Sequence, residues 1–169
     1  MSLEAVETSR GTWHAPSAAE RRRLLGRART IAVVGASADP AKASNFVLSY
    51  LRSGSADYEL WPVTPKGGEI LGLKAYTSLQ ELPGTPDIVD VFRPPAALPG
   101  VAEEAVGIGA ATLWVQLGLH SDEAVRTAHE AGLAVVTNRC VKIEHARFAG
   151  GLHLAGFDTG VISSRRTRG

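Results

Sequence analysis

Behind its first apolar run this 169-residue chain sets Ser37, Lys42 and Asn45, three side chains able to donate hydrogen bonds to one anion. The run is Thr30-Ile-Ala-Val-Val34, and it breaks into Gly35, Ala36 and Ser37 before a helical pattern begins. A buried strand that turns on small residues into a helix suits a phosphate. Backbone N–H groups face outward at such a turn, and the helix N-terminus carries a positive partial charge. Later apolar runs end on residues able to wall the same ligand. They are Thr64, Pro65 and Lys66, then Arg93, Pro94 and Pro95, then Gln116 to Gly118, and last Asn138 to Cys140. The chemistry indicated is the holding of a phosphorylated nucleotide cofactor.

The elements that must position these residues follow from periodicity and punctuation. Residues 1–16 show no period and read as a flexible lead-in. Ser17 and Glu20 have the spacing of a capping box, in which each side chain accepts the other's backbone N–H. The helix they open is expected to turn Leu24, Leu25 and Ala28 inward and Arg21, Arg22, Arg23 and Arg27 to solvent. After the strand at 31–34, the next helix is expected to carry Phe46, Val47, Tyr50 and Leu51 on its buried face. Further strands are expected at 58–63, 88–92, 112–117 and 133–137, with a short edge strand over 74–77. Helices fit between and after them, one opened by Pro95, one capped by Ser121, and one over 141–148. From residue 150 to 169 glycine, serine and arginine recur without a period, and the stretch reads as a flexible tail.

Short apolar strands alternating with helices make a single α/β domain over 17–149. Its core is a doubly wound, mostly parallel sheet of five or six strands, Rossmann-like in kind. In such sheets ligands sit over the carboxyl ends of the strands, where the strand order reverses. Topology therefore gathers the turn at Gly35 and the later strand ends into one site before any motif is invoked.

Composition removes several other classes. A formal net charge of +1 supplies no field to attract nucleic acid or an anionic membrane surface. The single cysteine, Cys140, allows no internal disulfide, and no apolar run approaches the ~20 residues of a membrane span. A cytoplasmic protein is expected. His120, His129, His145 and His153 lack metal-ligand spacing, and no G-x-S-x-G elbow supports a triad built on Ser37. With no catalytic constellation, a non-catalytic binding module is expected. Asp90 lies in a strand that should be buried, so it is expected to be paired or hydrogen-bonded. Trp114 reads as core. Cys140 reads first as a small buried hydrophobe, and second as a thiol at the edge of the site.

The cofactor is narrowed by what the motifs lack. NAD would want G-x-G-x-x-G in the first turn and an acidic residue ending the second strand. Here the turn is Gly35-Ala-Ser-Ala-Asp-Pro40, with one glycine, and the second strand runs out into Lys66. No G-K-[ST] follows, so it is not a P-loop either. Lysine at that strand end favours a phosphorylated ribose, which NADP and coenzyme A both carry. The residues alone leave a coenzyme A-binding module beside an NADP-dependent oxidoreductase or redox sensor.

An ordered set of short motifs resembles the free-standing CoA-binding domain proteins. The set is Val34-Gly-Ala-Ser37, Lys42-Ala-Ser-Asn45, Pro62-Val-Thr-Pro65 and Glu69-Ile-Leu-Gly72. It continues with Val89-Asp-Val-Phe-Arg-Pro94, Trp114-Val-Gln116, Asn138-Arg-Cys140 and Glu144-His145. That family is similar to the CoA-binding domain of the succinyl-CoA synthetase alpha subunit, and the resemblance covers about residues 18–148. It implies coenzyme A, or an acyl-CoA, lying across the Gly35 turn with Thr64 to Lys66 and Phe92 to Pro94 as its walls. The family pattern commonly has aspartate where this chain has Asn138. The synthetase region that would carry a phosphorylated histidine is outside the match, so synthetase activity is not implied.

Overall fold

The computed structural model describes residues 5–54 and 57–149, together with the strand pair Phe157–Asp158 and Gly160–Val161. The expected tail at 150–169 otherwise lies outside the described residues. In chain order come β1 (Ala5–Val6), β2 (Trp13–His14), α1 (Ala18–Arg27), β3 (Thr30–Val34), α2 (Ala43–Ser53) and β4 (Glu59–Val63). They are followed by β5 (Glu69–Ile70), β6 (Leu73–Lys74), β7 (Ile88–Val91), α3 (Leu98–Gly107), β8 (Thr112–Val115), α4 (Asp122–Glu130), β9 (Ala134–Val136) and α5 (Val141–Ala149). Single 3-10 turns stand at Leu79–Glu81 and Pro95–Ala97.

Five strands form one fully parallel sheet in the order β4-β3-β7-β8-β9. Each strand is nearly continuous in Val, Ile, Leu and Ala because helices cover both faces. Val34, Val63, Val89, Val91 and Leu113 pack toward α3 and α4. Ile31, Val33, Ile88, Trp114 and Val136 pack toward α1, α2 and α5. Full burial of side chains such as Ile31, Leu48 and Leu113 stabilises the fold by roughly 1.5–3 kcal/mol each. Pro62, which has no N–H to give, falls on β4 at the sheet edge, where a proline is tolerated. The chain first steps from β3 to β4, then returns past β3 to β7. The strand order therefore reverses between β3 and β7.

Three expectations are corrected by the packing. The lead-in over residues 5–14 is a small antiparallel hairpin, with Val6 and Trp13 buried against the α3–α4 side of the core. Trp13 Nε1 donates to the Val135 carbonyl at 3.1 Å, and the Ser9 N–H donates to the Glu130 carboxylate at 2.7 Å. Arg21 is buried, not solvated: its Nε donates to Glu144 Oε1 at 2.7 Å and its Nη1 to the Pro16 carbonyl at 2.8 Å. The capping box at Ser17 and Glu20 is present and aims α1 so that this pair can close.

The third correction is Asp90. It lies in register with Val33 and Trp114, fully buried on the α1–α2–α5 face. Neither carboxylate oxygen has a hydrogen-bond partner among the described residues. Burial pushes its pKa well above the usual carboxylate range. The folded state therefore holds a proton that the unfolded state releases above its ordinary pKa of about 3.9. Stability contributed by this site falls as pH rises from there toward the folded-state pKa. Asp90→Asn should remove that dependence. In urea titrations the variant should exceed the parent in midpoint at pH 8, with the gap closing toward pH 4; a gap independent of pH would contradict this.

Candidate functional site

At the switch point the ends of β3 and β7 come so close that only glycine fits. Gly35 has φ +87°, and a Cβ there would lie 2.5 Å from the Phe92 carbonyl oxygen. Its N–H and that of Ala36 both point at the Val63 carbonyl, each at 3.1 Å. Those two donors tie β3 to β4 and do not face a ligand, which corrects the simplest expectation for this turn. The donors left over come just afterwards. Ser37 Oγ accepts the Asp39 N–H, Asp39 Oδ1 accepts the Ala41 N–H, and the Asp39 carbonyl accepts the Lys42 N–H. Among the described residues, the N–H groups of Ser37, Ala38, Ala43 and Ser44 make no hydrogen bond. Lys42 is the N-cap of α2 and gives it no side-chain cap. The result is an uncapped helix N-terminus beside a turn with free donors, the arrangement that receives anions.

Ser37, Ala43 and Ser44 border a cleft of about 890 Å³ over the carboxyl ends of the strands. Of the residues expected there, Gly35, Ala36, Ser37, Lys42, Thr64, Pro65, Phe92, Arg93, Pro94, Gln116 and Cys140 border it. Asn45 does not. It is buried behind the turn, where its Nδ2 donates to the Ser37 carbonyl at 2.9 Å and holds the turn in shape. Lys66 is exposed at the end of β4 but outside the cleft. Lys42, Arg93 and Lys142 border the cleft and no aspartate or glutamate does, so its charge is uniformly positive. Arg93 forms no ion pair with Asp90 or any other described acid.

The rest of the cleft is apolar. Phe46, Leu117 and Ile143 all border it while being 62%, 59% and 46% exposed. Phe46 was expected on the buried face of α2; that face is Val47, Leu48 and Leu51 instead. Lys142 Nζ sits 4.7 Å from the Phe46 ring centroid, close enough for the ring face to attract it. Sequence periodicity missed Phe46, Lys142 and Ile143. The available signal was position, since Lys142 and Ile143 occupy the first turn of a helix that starts directly after Cys140. Cys140 is half-buried at the rim, and its carbonyl accepts the Glu144 N–H at 3.0 Å to start α5. Asn138 takes φ 61°, which asparagine tolerates, and its Oδ1 accepts the Gly118 N–H at 2.7 Å.

Residues 29–146 match the family described as the CoA binding domain. The chain belongs to that family. An uncharacterized protein of Bacillus subtilis, YneT, is 44% identical over 131 residues, which is 78% of this chain and 96% of that one. A hypothetical protein from Pyrococcus horikoshii superposes with TM-score 0.75 at 38% identity, over 80% of this chain and 94% of that chain. The alpha subunit of an ADP-forming acetate–CoA ligase (II) from Pyrococcus furiosus is 30% identical over 128 residues, covering 68% of this chain and 27% of the subunit.

In this CoA-binding-family chain the groups behind the cleft are electrically quiet. Tyr50 Oη and His145 Nδ1 lie 2.8 Å apart, and Tyr58 packs edge-on against the same imidazole. Burial holds the His145 pKa below its ordinary value and, with Tyr50 nearby, pushes Tyr58 up to about 12. All three are therefore neutral near pH 7. Among the described residues no cluster of His, Cys, Asp and Glu could hold a metal ion.

Gly35 is the residue this geometry can least spare. Gly35→Ala should cost at least about 2 kcal/mol, from the left-handed backbone and from the clash with Phe92. Gly100→Ala, within α3 where an added Cβ meets nothing within 4 Å, should be neutral or mildly stabilising. Urea midpoints of the two variants check the contrast, and equal midpoints would contradict it.

Proposed function

We propose that the cleft binds coenzyme A or an acyl-CoA, as a non-catalytic module. The observation that carries this reading is the pairing of two unlike regions in one cleft. One has the free backbone donors of Ser37, Ala43 and Ser44 with Lys42, Arg93 and Lys142 and no carboxylate. The other is lined by Phe46, Leu117, Leu119 and Ile143. Coenzyme A has the matching division, a phosphorylated nucleotide joined to a long uncharged arm. In this reading the diphosphate rests on Ser37 and the start of α2, and the arm runs along the ends of β7 and β8 toward Cys140. Lys66, exposed at the end of β4, meets the ribose phosphate.

The ionisable residues bordering the cleft are Lys42, Arg93, Cys140 and Lys142. Family membership adds support through the acetate–CoA ligase subunit; ligation itself is not carried over, since this chain spans only 27% of it. The ligand is taken as a small molecule, with neither nucleic acid nor a membrane as partner and a cytoplasmic setting. Among the described residues no helix is long and apolar enough to cross a membrane.

Titration calorimetry should give tighter binding of coenzyme A than of NADP or NAD. NADP binding as tight as coenzyme A, or tighter, would favour the oxidoreductase alternative. Lys42→Ala should weaken coenzyme A by about 1–2 kcal/mol, the loss of one charge-assisted hydrogen bond to phosphate. An unchanged dissociation constant would return Lys42 to the solvated surface.

A further inference from the structure

Gln116 is an almost fully buried amide with only one end in use. It stands just past the end of β8 and is 5% exposed, yet it borders the cleft. Its Oε1 accepts the Val141 N–H at 3.0 Å, at the start of α5. A backbone N–H can only donate, so the chemistry itself decides which end of the amide faces Val141. The NH₂ group is thereby turned away from that contact, and it donates to no described residue. It is not sealed in the core, because the only buried and unpartnered side-chain atoms among the described residues are the two oxygens of Asp90. The amide NH₂ is therefore an unsealed donor with no partner among the described residues, on a side chain that borders the cleft.

Apolar groups frame that donor. Leu117 follows Gln116 directly, and Ile143 lies two residues beyond Val141; both border the cleft and both are largely exposed. A ligand that satisfies this corner offers a carbonyl oxygen with an aliphatic group attached to it. Free coenzyme A brings only the end of its arm to these side chains, whereas an acyl thioester covers more of them and gains from the further apolar area removed.

Resting on the coenzyme A reading above, we infer that the cleft selects acyl thioesters over the free thiol. The thioester carbonyl accepts from Gln116 Nε2, and a short aliphatic acyl chain lies on Leu117 and Ile143. Gln116 is then a specificity-determining residue. A site built around a hydrogen bond rejects the analogue that lacks the acceptor, because the buried donor is left unmet.

The test compares coenzyme A, butyryl-CoA and S-butyl-CoA by calorimetry; the last is a thioether with the chain but no carbonyl. Butyryl-CoA should bind at least about fivefold tighter than coenzyme A, with S-butyl-CoA losing most of that gain. Gln116→Glu keeps an oxygen for the Val141 N–H and replaces the donor by an acceptor, so the fold survives while the contact inverts. In that variant butyryl-CoA should bind no better than S-butyl-CoA; the added carboxylate repels the phosphates of all three ligands alike, so the ratio between ligands is the readout. Leu117→Ala should weaken butyryl-CoA and S-butyl-CoA to the same extent, and both by more than it weakens coenzyme A, whose arm alone touches that side chain. Coenzyme A binding as tightly as butyryl-CoA overturns the inference while leaving the coenzyme A reading intact. So does a preference for butyryl-CoA over S-butyl-CoA that survives in Gln116→Glu, which would assign the carbonyl contact to another group. Failure of all three ligands to bind the parent overturns the coenzyme A reading itself.

Discussion

A Cβ on Gly35 would stand 2.5 Å from the Phe92 carbonyl oxygen, so β3 and β7 can end side by side only around a residue without a side chain. That close approach brings Phe92 and Arg93 against the turn and lets the Gly35 and Ala36 N–H groups reach across to Val63. With the turn tied to β4 on one side and pressed on β7 on the other, the chain rises through Ser37 and starts α2 without a cap. Asn45 then holds the Ser37 carbonyl from behind. The free donors at Ser37, Ala38, Ala43 and Ser44 are a consequence of this packing and need no anion to position them.

The polar groups divide into those that are satisfied within the fold and those that are not. Arg21 and Glu144 are both buried and complete each other, with Arg147 Nη1 adding a second contact to Glu144 at 3.3 Å. Such a pair fixes α1 on α5 at a desolvation cost that its geometry must offset. Lys42, Arg93 and Lys142 have no acidic partner among the described residues, and they share one cleft. Their mutual repulsion is relieved by an anionic ligand, which is the electrostatic reason to place phosphate there. Asp90 belongs to neither group. It is buried and unpartnered, with its pKa pushed well above the usual carboxylate range, on the strand that forms one side of the switch point.

Much of this was legible in the residues, for identifiable reasons. Strands buried on both faces write themselves as apolar runs, and their ends are marked by Gly35, by Thr64-Pro65 and by Pro94-Pro95. Strand ends name most of the cleft once the sheet is parallel, because topology brings them together. Lateral detail was not legible. Two-residue strands such as Ala5–Val6 and Trp13–His14 have no period to detect, so the hairpin looked like lead-in. Arg21 has the same spacing as its solvated neighbours, and only α5 supplies Glu144. Phe46 sits within reach of the helical stripe of Val47 and Leu51, yet it is rotated out to the mouth of the cleft. The Gly35 turn was located correctly, but which of its N–H groups were spent depended on β4, a strand many residues away.

The account rests on the claim that the ligand's phosphates are received by the N–H groups left free after the turn. Backbone amide chemical shifts recorded during a coenzyme A titration test this directly. The largest changes should fall on Ser37, Ala38, Ala43 and Ser44, with Gly35 and Ala36 moving less because they remain bonded to Val63. Saturable binding that leaves those four amides unmoved, with changes centred instead on α1 and the distal half of α5, would contradict the account.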